Sequence, residues 1–371
     1  MRNVVVFCSD AWPGLGIVRS LGEAGHKAEC YCYGRNGKFI LASKYVSKGR
    51  LFKSADDVLA YFIYDYPYYE DKPILFTIPD EPAYLVDQHQ DVLKDKFILM
   101  TAGRQGTIAY WMDKRNMANV AMRHGLVVPW TIELGKNKDI PESITYPVFT
   151  KSISTIDGGK EDESICWNED ELEKKKSTII SDRFLVMKYI KKKQEIDFFG
   201  MSVKGKVYID YHDEISRFPD GAYGYYGIFK KHGYDDIRQR CISMMEEIGY
   251  DGLFDIEFLL GEDDILYFME INFRVDGAIY KLTPGINLPA EWCKLVCIPK
   301  EDLPQKLSSN KDSFTGMTEL PDFKTSVLSG RMNPIKWLGD FFHADKHILV
   351  NSKDPMPAAV WAFQFIRRRK Y

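Results

Sequence analysis

The sequence predicts a chain of mixed class, α/β at its start and α+β beyond: a doubly wound parallel region followed by a two-lobed region of antiparallel sheets. Two patterns and one bulk property carry this expectation. Up to about residue 108, short apolar runs alternate with helically spaced segments. From Trp111 onward, pairs of strand-like runs joined by turn residues take over. At 371 residues and 45% hydrophobic, the chain can bury more than one core.

The opening reads strand, turn, helix, strand. NVVVFC is a buried-strand run, DAWPGLG supplies the Pro and Gly of a turn, IVRSLGEAGH has helical spacing, and KAECYCYG is the next strand. SADDVLAYFIYDY and PAYLVDQHQDVLK read as helices on either side of the strand PILFTIP, so residues 1–108 are expected to form one doubly wound, Rossmann-like domain. PGLG is only part of a dinucleotide fingerprint and no acid closes the second strand, so a nicotinamide-dependent oxidoreductase is the weakest reading of this region.

A helix in MDKRNMANVAMRHG, with Gly125 as its stop, opens the next region. LVVPWTIEL and YPVFTKS follow as strands, then a charged loop from Ser152 to Glu163, a polar helix over Asn168 to Lys176, and the strand RFLVMKYI. SVKGKVYIDYHD reads as a hairpin turning at Lys-Gly, and DDIRQRCISMMEEIG as a helix. Residues 109–185 and 186–300 are expected to be two lobes. Residues 301–371 are expected to be a linker and C-terminal extension, with Glu301 to Thr325 as a polar excursion.

The formal net charge of -3 provides no global field that would draw in nucleic acid. Seven cysteines form no CxxC pair, the start lacks the pattern of a signal peptide, and no apolar run approaches the roughly 20 residues of a membrane span, so the reducing cytoplasm is expected. The tail AAVWAFQFIRRRKY reads first as a packed terminal helix whose cations complement its dipole. Its second reading is a peripheral anchor on an anionic inner-membrane face.

The strongest local signal is GLFDIEFLLGEDDILYFMEINFR. Strand alternation turns Phe254, Ile256, Phe258 and Leu260 to one face and Asp255 and Glu257 to the other. Folding symmetrically about Glu262 and Asp263 sets Asp255 opposite Glu270 and Glu257 opposite Phe268, with Asn272 beside Glu270. Acids facing each other on neighbouring strands repel; a hard cation with oxygen ligands removes the repulsion, and Mg²⁺ shared with phosphates is the natural occupant. The plainer alternative is a hairpin whose polar face is wet.

The ending E-x-N-x-R after IEFLL…YFMEINFR resembles the metal-binding end of the ATP-grasp superfamily, and the order of motifs over roughly residues 110 to 280 is similar to it throughout. The resemblance implies a two-lobed ATP-grasp domain behind a Rossmann-like one. It implies Mg²⁺, with Mn²⁺ able to substitute, on Glu257, Glu270 and Asn272, with Asp255 as the alternative if the register differs. Lys114 and Lys151 would hold ATP phosphates, Ser152 and Lys160 would belong to the phosphate-covering loop, Lys188 and Ile190 would receive adenine through main-chain groups, and Glu195 would bind ribose, in competition with Asp197. Arg274, with Arg217 as a second arginine, would hold substrate or the transferring phosphate.

LGIVRSLGEAGHKAECY, SKYVSKGRLF and the DPMPA tail resemble the carboxylate-amine ligase and D-aspartate ligase branch. That branch implies ATP-dependent joining of a small-molecule carboxylate to an amine, with ADP and phosphate released, and the addition of an amino acid to a cell-envelope or glycan precursor. The rival expectations are an ATP-grasp kinase or carboxylase-like enzyme, and a silent ATP-binding protein.

Overall fold

The computed structural model describes residues 2–154, 156, 162–217 and 225–368. Its first sheet is formed by β1 (Val4–Ser9), β2 (Ala28–Tyr33), β3 (Val46–Phe52) and β4 (Ile74–Ile78), in the order β3-β2-β1-β4 and parallel throughout. β1 and β4 are apolar runs because helices cover both faces: Val4, Val6 and Cys8 join one core, Val5 and Phe7 another. The helix Trp12–Glu23 starts earlier than expected: PGLG, read as a turn, lies inside it, with Pro13 in the first turn where its missing N–H is tolerated.

A second, antiparallel sheet comprises β5 (Thr131–Gly135), β6 (Val148–Ser152), β7 (Ser164–Cys166) and β8 (Arg183–Lys188), in the order β5-β8-β6-β7. It covers its own small core, with Leu134, Val148, Leu172, Phe184 and Val186 buried. The adjacent helix runs Lys114–Arg123, capped by the Asp113 carboxylate on the N–H of Arg115. Gly125 follows with φ 74°, a backbone a side chain would resist.

The largest sheet has seven strands in the order β13-β12-β9-β10-β11-β14-β15. Its members are β9 (Lys192–Val203), β10 (Lys206–Arg217), β11 (Tyr226–Lys230), β12 (Gly252–Gly261), β13 (Leu266–Asn272), β14 (Ser313–Met317) and β15 (Lys346–His347). β9 and β10 turn at Lys204 and Gly205, both with positive φ, as the Lys-Gly signal predicts. The expectation of a polar excursion from Glu301 to Thr325 is corrected: Ser313–Met317 pairs with β11 and buries Phe314 and Met317.

The C-terminal segment folds back on the first helix. Arg19, fully buried, donates to both Asp354 Oδ2 (2.9 Å) and the carbonyls of Leu349 (3.1 Å) and Asp354 (2.6 Å). Ser43 and the N–H of Lys44 complete the coordination of the Asp354 carboxylate. The helix Met356–Arg368 then packs beside Lys38–Leu41, with Trp361 against Trp12 at 5.3 Å between ring centroids. Among the described residues no helix is long and apolar enough to cross a membrane.

Candidate active site

The hairpin β12–β13 forms, but its register differs from the symmetric expectation. Asp255 faces Asn272 and Glu257 faces Glu270, whereas Phe258 faces Phe268, so Met269 is an extra residue on β13. The turn is also wider, closed by the N–H of Gly261 on Ile265 O with Asp264 at φ 58°. The bulge brings the two glutamates directly opposite each other, which strand counting alone did not give.

The row continues across the sheet. Glu257 pairs with Asp197 on β9, and Asp197 pairs with Asp213 on β10, so Glu270, Glu257, Asp197 and Asp213 lie side by side on four neighbouring strands and one face. Asn272 Nδ2 donates to Asp255 Oδ2 (2.9 Å) and Glu257 Oε1 (2.7 Å). Burial, with Glu270 opposite, pushes the Glu257 carboxyl up to about 8. Glu270 goes the other way: burial works against its charge, yet Lys151 and Lys114 outweigh it and hold the carboxyl well below its usual range.

Those two lysines arrive from the second sheet. Lys151 on β6 puts Nζ 2.6 Å from Glu270 Oε2, and Lys114 puts its own 3.6 Å from the same oxygen. The N–H of Lys114 donates to Ile153 O (3.1 Å), tying that helix start to the end of β6. Ser152 is buried as the last residue of that strand. Lys160 lies outside the described residues.

Lys188 ends β8 and Ile190 lies in the connection to β9, where the resemblance places the adenine contacts. The N–H of Lys188 donates to Trp130 O (2.8 Å) and its Nζ to Tyr267 Oη (2.7 Å), while Ile190 is buried beneath Gly261. Glu195 stands opposite Leu259 and pairs with Lys192, whereas Asp197 belongs to the carboxylate row.

Arg274 is held at the edge of the row by Asp80 (2.9 Å), Asp255 (3.0 Å) and Asp276 (3.2 Å). Asp80 opens the helix after β4, at the carboxyl end of the parallel sheet, where ligands of such sheets gather. Neither Asp80 nor Asp276 was singled out in the sequence; the position of Asp80 just past a buried strand was the available signal. Arg217 is not brought to this site. Its guanidinium pairs with the buried Asp322 (2.5 Å) and with Asp340, and lies over Tyr226.

Among the described residues no group of three or more Asp, Glu, His or Cys side chains is close enough to hold an ion by itself. The acids nevertheless suit a hard cation: the half-buried Glu257 and Glu270 face each other, with the Asn272 amide on Glu257.

Residues 227–296, from β11 through the hairpin, match the model of the carbamoyl-phosphate synthase L chain ATP-binding domain. None of the curated proteins compared with the chain matches it in sequence. Among solved structures, an N5-carboxyaminoimidazole ribonucleotide synthetase in its ADP complex is similar at 13% identity and TM-score 0.67, over 88% of this chain and 84% of that one. An L-amino acid ligase from Bacillus licheniformis is similar at 14% identity and TM-score 0.60, over 82% and 77%. Biotin carboxylase from Campylobacter jejuni is similar at 17% identity and TM-score 0.58, over 80% and 72%. The chain has the ATP-grasp fold shared by these structures, and its match over residues 227–296 is to an ATP-binding domain.

Proposed function

We propose that the protein is an ATP-dependent ligase that activates a carboxylate as an acyl phosphate for attack by an amine. The observation that carries this reading is the meeting of Lys151 and Lys114 on Glu270, directly across from Glu257. Two buried cations beside paired acids form an electrostatic frame for phosphates and the metal they bring. Bound Mg²⁺ would draw charge off the phosphate oxygens, held by Glu257, Glu270 and Asn272.

In this reading Lys151 and Lys114 would hold phosphate oxygens, and Glu270 would be among the residues holding the metal. Glu195 takes the ribose, and the hinge at Lys188 to Ile190 takes the adenine. A substrate carboxylate oxygen attacks the γ-phosphorus and ADP leaves. The amine nitrogen then attacks the acyl carbon, phosphate leaves, and the nitrogen gives up its proton. Arg274, oriented by Asp80, Asp255 and Asp276, is placed to bind the transferring phosphoryl group. No side-chain nucleophile is needed; positioning and charge neutralisation suffice.

The expected glycan-linked acceptor and membrane contact rest on the C-terminal tail. Trp361 of that tail packs on Trp12 and Phe363 is exposed, while the side chains from Phe365 onward lie outside the described residues. Liposome partitioning unchanged by removal of residues 361–371 would remove this part of the reading.

The ligase reading is tested by incubating the protein with ATP, Mg²⁺ and paired carboxylate and amine panels, with ADP release and product mass as readouts. An amide with stoichiometric ADP supports it. A stable phosphorylated product, or thermal stabilisation by NAD and none by ATP with Mg²⁺, overturns it.

A further inference from the structure

A cleft outside the carboxylate row opens where the chain leaving the parallel sheet meets the helix Asp235–Ile248. Thr101 and Asp251 exchange main-chain hydrogen bonds of 2.8 and 2.7 Å, which ties the segment around Thr101 to the end of that helix. The cleft holds about 550 Å³, within the range of small-molecule sites. The buried Ile248 lines it from one element. Tyr110 and Trp111, edge to face with ring centroids 5.0 Å apart, line it from the helix Thr107–Trp111. Tyr110 is 56% exposed, a large aromatic surface left to water. None of the residues placed in the candidate active site lines this cleft.

The polar groups of the cleft are donors. Gly103 and Gly106, at φ 91° and 83°, turn the chain on either side of Arg104 and Gln105 and leave both side chains exposed. The Arg104 guanidinium has neither an ion pair nor a hydrogen bond among the described residues, and the Thr107 hydroxyl has no bond there either. Gln105 Oε1 accepts from the N–H of Asp91 (3.0 Å), so its amide NH₂ is the end left over. Nearby acids are already engaged: Asp87 accepts from the N–H groups of Ile108 (3.1 Å) and Ala109 (3.0 Å), Asp91 holds Lys94, and Asp113 holds Arg115. No acidic residue lines the cleft. Solvation alone accounts for a single exposed arginine, but a guanidinium, an amide N–H and a hydroxyl sharing one cleft with two rings form a recognition pattern.

We propose that this cleft is a second small-molecule site, separate from the nucleotide site, and that its ligand is an anionic group carried on a flat ring. Arg104, Gln105 and Thr107 receive the carboxylate or phosphate, for which the planar guanidinium fork is suited, and Tyr110 and Trp111 receive the ring. A cation is refused by Arg104, and an anion without a ring leaves the aromatic wall unused. The inference goes beyond the ligase reading and uses none of its residues.

The test is calorimetric titration of the full chain with two probe sets, aromatic carboxylates and nucleoside 5′-monophosphates, each with and without Mg²⁺ and a saturating non-hydrolysable ATP analogue. We expect at least one probe to bind once per chain, with the same affinity whether or not the analogue is present. Its uncharged counterpart, the primary amide or the nucleoside, should bind at least about tenfold more weakly, and Arg104→Ala and Tyr110→Ala should each weaken the probe by about tenfold or more. Both side chains are exposed, so thermal unfolding of the variants should match wild type and report that they fold. The set that binds tells whether the site takes carboxylate or phosphate. Binding of no probe, equal binding of the uncharged counterpart, loss of the probe on adding the analogue, or unchanged affinity in the folded variants would overturn the proposal.

Discussion

Lys151 Nζ lies 2.6 Å from Glu270 Oε2, so a lysine of the second sheet and a glutamate of the largest sheet close the cleft between them. Lys114 approaches the same oxygen at 3.6 Å. One carboxylate thus faces two ammonium groups across the gap between the two sheets.

Replacing Glu270 by Gln removes that shared charge while keeping its shape. Mg²⁺-dependent ATP turnover is expected to fall by at least about a hundredfold, because a metal carboxylate and its hydrogen bonds are lost together. The far-ultraviolet circular dichroism should be preserved. Turnover equal to wild type would remove Glu270 from the site.

Gly227→Ala places a methyl group where the Asp213 carboxylate lies, 2.0 Å from Oδ1 and 2.3 Å from Oδ2. The expected cost is about 1 to 3 kcal/mol, read from the urea midpoint. A midpoint identical to wild type would mean that Asp213 moves aside freely.

Much of this arrangement was legible in the sequence, and the parts that were not share a cause. Asp255, Glu257, Glu270 and Asn272 could be assigned to one hairpin face because alternation is a local property. Their exact partners could not: a bulge at Met269 adds one residue to β13, and nothing in FMEI announces it. Asp197 was read only as a rival ribose contact and Asp213 was not singled out, because neighbours across four strands depend on sheet order rather than spacing. Arg217 was misjudged for a similar reason. Of the two acids that hold it, Asp322 lies within the segment that composition presented as a polar excursion and Asp340 lies beyond it.

His212 offers a pH prediction. It is fully buried, with Glu214 Oε1 at 3.5 Å, and burial together with Arg238 pulls its pKa down from 6.5 to about 4. The unfolded chain therefore binds a proton below about pH 6.5 that the folded chain refuses until about pH 4, so stability present above that window is lost through it. His212→Phe should flatten the fall in stability between those values by up to about 3 kcal/mol relative to wild type, measured by urea unfolding at each pH. Parallel curves for the two proteins would contradict it.

Asp354→Asn leaves the buried guanidinium of Arg19 without its anion, and Arg19→Met leaves Asp354 without its cation. Either change is expected to cost about 3 to 5 kcal/mol. The double variant should recover part of that loss, because no uncompensated charge remains. Strictly additive losses in thermal unfolding would show that the two side chains do not act as a pair.

The same clasp imposes an order on synthesis. Arg19 is translated 335 residues before Asp354, and the carbonyls of Ile348 and Leu349 that it also holds arrive scarcely earlier. Through nearly all of translation the first helix must carry a charge that the finished fold keeps from water. The parallel sheet can therefore collapse early on the ribosome but cannot lock, and a ribosome stalled short of Asp354 would hold a nascent chain whose amino-terminal region is still open to proteolysis.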